Sequence, residues 1–179
     1  PPFEEAHFIN GFGHPGGKFR FRPDWAAIGA NHAAMPALPD HMPAIDATDD
    51  DRPFRLVAAP ARQFLNTSFT EMESGRKREG RPSVLIHPAD AGRLGITEGG
   101  RVRLGNARGE IIVHAKLTEG VRAGVVVVES IWPHKDFEGG IGVNALTSDD
   151  PAPPWGGAVF HDTAVWVRSA AAELAEAAE

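Results

Sequence analysis

Arg101-Val102-Arg103-Leu104-Gly105-Asn106-Ala107-Arg108-Gly109-Glu110-Ile111-Ile112-Val113-His114-Ala115-Lys116-Leu117 reads as two strands joined by a tight turn. Arg101 to Leu104 alternates charged and apolar residues. From Glu110, Ile111, Val113, Ala115 and Leu117 share one face, while Glu110, Ile112, His114 and Lys116 share the other. A strand sends successive side chains to opposite faces, so this is a half-buried hairpin. Asn106-Ala107-Arg108-Gly109 supplies a four-residue turn, with Gly109 expected at its strained position. The polar face predicts a solvated His114.

Working outward, other short strands surround this hairpin. Phe54 to Ala59 ends at Pro60, Val84 to Ile86 is too short for a helix, and Ala164 to Val167 is the last candidate. Val125 to Val128 is an unbroken β-branched run, which predicts burial on both faces. Pro88-Ala89-Asp90-Ala91-Gly92-Arg93-Leu94-Gly95 predicts a helix of one or two turns. Pro88 suits its first turn, Asp90 its positive end, Gly95 a left-handed stop and Ile96 the apolar contact that closes it. Thr97-Glu98-Gly99-Gly100-Arg101 is echoed by Thr118-Glu119-Gly120-Val121-Arg122. The echo is either shared turn chemistry or the trace of two related halves. Gly75 to Arg81 reads as a charged loop with a solvated basic tip at Arg76-Lys77-Arg78. The sum is a mainly β chain forming a small closed barrel with one or two short helices.

Residues 1–53 have a different texture. They hold eight of the fifteen prolines, and four basic against eight acidic residues. Pro36, Pro39 and Pro43 break any helix there, and only Lys18 to Arg22 alternates like a strand. Asp46 to Asp51 predicts a solvated acidic stretch. This divides the chain into a Pro-rich arm over 1–53, a barrel over 54–169 and an Ala/Glu-rich helical tail over 170–179.

Composition removes several functions. The 179 residues carry a net charge of −6, which argues against general nucleic-acid binding. The absence of Cys excludes disulfides, thiolate metal sites and iron–sulfur ligation within the chain. No apolar run reaches the ~18 residues of a membrane span. The eight His are scattered without metal-ligand spacing, so no metal site is expected. Gly11-Phe12-Gly13-His14-Pro15-Gly16 matches a dinucleotide fingerprint in letters only, because Pro15 and Gly16-Gly17 block the helix that motif needs. No nucleophile elbow is present.

Two stretches carry ligand chemistry. Pro60 to Phe69 follows a strand and mixes a fixed charge (Arg62), amides (Gln63, Asn66), hydroxyls (Thr67, Ser68) and apolar groups (Phe64, Leu65). That mixture suits a polar, partly planar anion. Gly139 to Ser148 combines glycines that let backbone approach a ligand with Asn144, both a donor and an acceptor.

Arg62 to Phe69, His87 to Ile96, Arg101 to Ile111, Gly120 to Ser130, Gly142 to Pro151 and Phe160 to Arg168, in that order, resemble the C-terminal cofactor-binding domain of the molybdopterin-dependent oxidoreductases, the dimethyl-sulfoxide-reductase and formate-dehydrogenase superfamily. The resemblance covers most of 54–169, and Gly16 to Phe21 resembles the segment just before that domain. It implies a double-psi β-barrel that holds part of a molybdopterin guanine dinucleotide. It places Arg62, Gln63, Phe64, Leu65, Asn66, Thr67 and Ser68 at the dinucleotide, Asn144 and His161 at the pterin side, and Trp132 near the cofactor. It implies that the metal, molybdenum or tungsten, is ligated elsewhere, and that any iron–sulfur cluster belongs to upstream domains. The chain then reads as a C-terminal fragment, partnered by upstream domains of the same polypeptide and inactive in isolation, with a cytoplasmic location expected. The main alternative is a free-standing double-psi barrel that acts as a binding or adaptor module, as on some ATPases. A self-processing decarboxylase of similar architecture lacks support, because no Gly-Ser pair occurs.

Overall fold

A computed structural model describes residues 2, 9, 11, 13–42, 46–129 and 131–170. These group into two compact units, one of residues up to 42 with 153–156, the other of 46–152 with 157–170. The helical tail expected over 170–179 lies almost wholly outside the described residues.

The larger unit is a closed barrel of six strands: β1 (Phe54–Ala59), β2 (Ser83–Ile86), β3 (Arg101–Gly105), β4 (Glu110–Leu117), β5 (Val125–Glu129) and β6 (Thr163–Ser169). Around the barrel the order is β1-β5-β2-β4-β3-β6. β1 and β5 are parallel, as are β2 and β4. The other four pairings are antiparallel. Exchanging β1, β2, β3 for β4, β5, β6 returns the same ring with every pairing preserved, the internal symmetry of a double-psi barrel. The Thr-Glu-Gly echo precedes β3 and β5, which that exchange does not relate. It therefore reflects turn chemistry. Gly99 takes φ +71° in the first copy. In the second, the Thr118 hydroxyl accepts from the Gly120 N–H at 3.0 Å.

Burial follows the alternation. Ile111, Val113 and Ala115 of β4 point inward, as do Val102 and Leu104 of β3, Leu56 of β1 and Val126 and Val128 of β5. β5 also alternates, with Val125 and Val127 only half-buried, so its β-branched run is not covered on both faces. A barrel wall has one inner face, and what covers its outside decides the rest. Gly105 faces Trp166 across β3 and β6. A Cβ there would lie 2.1 Å from the indole, so the ring lies where a side chain would otherwise stand. Gly109 does not take the left-handed backbone expected of it. Its bare Cα instead admits the Ala145 carbonyl, 3.3 Å from where a Cβ would stand.

Two helices join the barrel. α1 (Glu73–Glu79) replaces the expected charged loop, and Arg76 is ion-paired instead of solvated. α2 (Pro88–Arg93) ends as expected: Gly95 has φ +65°, and the Ile96 N–H donates to the Ala91 carbonyl at 2.8 Å. The His87 ring caps its start by accepting from the Ala89 N–H. Asp90 is buried and accepts from the Gly124 N–H at 2.8 Å, tying α2 to the turn before β5.

The expected solvated acidic stretch is wrong at its first residue. Asp46 is 6% exposed and accepts from the Arg52 and Arg108 guanidiniums and, at 2.9 Å, from the Ala164 N–H. Asp49, Asp50 and Asp51 are exposed, and Arg52 holds the Asp49 carboxyl below the usual carboxylate range. His114 is half-buried instead of solvated. Burial, reinforced by the charge of Arg81, pushes its imidazole below its ordinary value.

In the smaller unit, Lys18 to Arg22 is not a strand. The Phe19 and Phe21 rings pack edge to face at 5.0 Å. Short 3₁₀ turns at Trp25–Ala27 and Ala30–Ala34 follow, with the Trp25 indole N–H donating to the Pro36 carbonyl. Among the described residues no helix is long and apolar enough to cross a membrane.

Candidate functional site

Strand pairing brings three connections to one mouth of the barrel. Because β1 and β5 run parallel, with Ala59 opposite Glu129, the segments that follow them emerge side by side. β6 runs antiparallel to β1, with Thr163 opposite Leu56, so the segment leading into β6 reaches the same mouth. Between them is a cavity of about 680 Å³. Ala58, Ala59 and Pro60 form one side, and their small volumes leave it open. Asn66 comes from the loop after β1, Ile131 from the segment after β5, and Asn144, Thr147 and Ser148 from the turn beyond it. Phe160 and His161, with ring centroids 4.3 Å apart, line it from the β6 side.

The loop after β1 presents Asn66 through a tight hairpin. Leu65 and Ser68 exchange both backbone hydrogen bonds, at 3.1 and 2.8 Å, leaving Asn66 and Thr67 as the two turn residues. Asn66 takes φ +52°, the left-handed region that asparagine tolerates better than most residues. Asn144 is presented differently. It sits in a 3₁₀ turn, Val143–Ala145, whose Val143 and following Leu146 are buried. The helical spacing then leaves Asn144 and Thr147 toward the cavity. The turn is anchored from the β3–β4 hairpin. Asn106 Nδ2 and Arg108 Nε donate to the Leu146 carbonyl at 2.8 and 2.9 Å.

The expected site residues separate into four groups. Asn66, Asn144 and His161 line one cavity. Arg62, Leu65, Thr67 and Ser68 are exposed on the loop that carries Asn66. Gln63 is engaged within that region, its side chain accepting from Arg78 and its N–H donating to the Glu79 carboxylate at 2.8 Å. Phe64 and Trp132 belong to the core, 5% and 3% exposed, with rings edge to face at 4.9 Å. Ala58, Ala59, Ile131 and Phe160 line the cavity without having been expected there. The Ala-Ala-Pro ending of β1 is the signal for the first two, since small residues at a strand's end leave room for a ligand.

A family model described as "Molydopterin dinucleotide binding domain" matches residues 54–164, and the chain belongs to that family. It is 39% identical over 126 residues to "Probable oxidoreductase YoaE" of Bacillus subtilis (strain 168), covering 70% of this chain and 18% of that protein. It is 30% identical over 139 residues to "Dimethyl sulfoxide reductase DmsA" of Escherichia coli (strain K12), covering 73% of this chain and 17% of the relative. The chain thus spans less than a fifth of the length of these two relatives. Acetylene hydratase from Pelobacter acetylenicus shares the fold, with a TM-score of 0.68 at 18% identity, over 89% of this chain and 24% of that one.

Proposed function

We propose that the chain is the C-terminal part of a molybdopterin-dependent oxidoreductase, and that the cavity at the β1–β5 mouth grips part of a molybdopterin guanine dinucleotide. The observation that carries this is the meeting of Asn66 and Asn144, from connections far apart in sequence, at one cavity of about 680 Å³. Neither side-chain amide is hydrogen-bonded to another described residue, so both are available to a ligand. The donor set suits the group. The amides match the edges of a fused heterocycle, Phe160 and the β1 alanines its faces, and the exposed Arg62 a phosphate.

The bound cofactor, with its metal, supplies the redox chemistry; this chain positions it and excludes water. The metal ligand, any iron–sulfur cluster and the substrate pocket belong to upstream domains, so the chain alone is inactive. Metal and nucleotide analysis of the native protein tests this reading. Guanine nucleotide released on acid hydrolysis, together with molybdenum or tungsten, is the expected result. Absence of both overturns it. Asn144→Ala in the native protein should weaken cofactor retention by about 1–3 kcal/mol, the cost of a lost buried hydrogen bond. Unchanged molybdenum or tungsten occupancy after dialysis would contradict the role of Asn144.

A further inference from the structure

We propose that Arg76 is a positioning residue that sets the spacing of the connections lining the cavity. Among the described residues, its hydrogen bonds reach none of those that line the cavity. Its Nη1 donates to the Thr70 carbonyl at 3.0 Å, at the end of the loop that carries Asn66. The same guanidinium makes a forked contact with both Asp136 oxygens. Asp136 lies in the 3₁₀ turn His134–Asp136 of the connection that follows β5 and leads to Asn144. Its side chain is only 15% exposed. Beneath the fork, the guanidinium lies 5.2 Å from the centre of the Trp132 ring, which packs on Phe64 from the first loop.

One side chain therefore joins both connections, through its polar contacts and through the Trp132 ring that meets Phe64 edge to face. The loop it steadies is intrinsically costly, since Asn66 and Phe69 both take positive φ. A forked, planar cation is needed, because lysine's point charge cannot bond both carboxylate oxygens and a carbonyl in one plane. The Thr70 hydroxyl lies 3.2 Å from the Thr67 carbonyl and 3.0 Å from the Glu71 carboxylate, and its single proton serves one of them.

This inference rests on the reading of the cavity as a dinucleotide site, and its test separates the two. Arg76→Met keeps an apolar stem on Trp132 and removes the fork, Arg76→Lys restores charge alone, and Asp136→Asn removes the partner charge. In the native protein, Arg76→Met should release guanine nucleotide about tenfold faster, the size of effect that a coupling residue outside a ligand's contacts exerts. Arg76→Lys should fall between Arg76→Met and wild type. Amide exchange should accelerate in residues 64–72 and 131–137 together, while β2, β3 and β4 stay protected. Release within about twofold of wild type with both segments loosened overturns the positioning role. Unchanged exchange in either segment overturns the clamp, whether or not nucleotide is present. A wild-type protein without guanine nucleotide overturns the ligand reading alone, and the exchange comparison still decides the clamp.

Discussion

Trp132→Ala should destabilise the barrel by about 3–5 kcal/mol, the range for deleting a large aromatic side chain from a packed interior. The indole is 3% exposed and meets Phe64 edge to face on one side and the Arg76 guanidinium on another. Its removal leaves a cavity beside Phe64 and the Arg76 side chain of α1. In a chain of this size each kcal/mol shifts the melting temperature by about 2–4 °C, so a loss of about 6–20 °C is expected in thermal unfolding. Trp132→Phe retains much of the apolar contact and should cost far less. The resemblance implies a cofactor contact for this ring, and the two roles diverge in this experiment. Loss of nucleotide with an unchanged melting temperature would make Trp132 a ligand contact, whereas the packing predicts the reverse order of effects.

Asp46→Ala should cost about 3 kcal/mol, toward the lower end for breaking a buried ion pair by removing one partner. The carboxylate receives the Arg108 and Arg52 guanidiniums and the Ala164 N–H. Deleting it strands a backbone donor inside the barrel and leaves two cations without their buried partner. The Arg52 and Arg108 side chains keep 29% and 30% exposure, and that residual hydration limits the penalty. The double variant Asp46→Ala/Arg108→Met should recover part of the loss, since one of the two stranded charges is then gone. Denaturant unfolding of the two single variants and the double measures the coupling. Strict additivity would mean that the pair contributes nothing. Because Arg108 also holds the Leu146 carbonyl, the loss should extend to the turn that presents Asn144.

These two residues mark the limit of what the sequence discloses. Strand positions were legible because a barrel wall imposes period two on its inner face, as β4 displays without interruption. The stop of α2 was legible because Gly95 and Ile96 follow local rules. α1 was not. Its Gly75 and charged run have no apolar period, and the helix is stabilised from outside, by Phe64 against Gly75 and by Asp136 against Arg76. Lys18 to Arg22 shows the converse, since alternation without a partner strand makes no sheet. Asp46 looked like its acidic neighbours because its partners Arg108 and Ala164 are remote in sequence. Among the site residues, the amides could be singled out by type, and the resemblance paired them. An aromatic side chain serves a ligand face or a core equally well, so only coordinates separate Phe160, at the cavity, from Phe64 and Trp132, in the core.

The most direct measurement is a crystallographic map of the native protein with its cofactor retained. The account predicts density for the nucleotide or pterin between the Asn66 hairpin and the Asn144 turn, within hydrogen-bonding reach of both amides. Density bound on another face of the barrel, with those two amides turned to solvent, would contradict it.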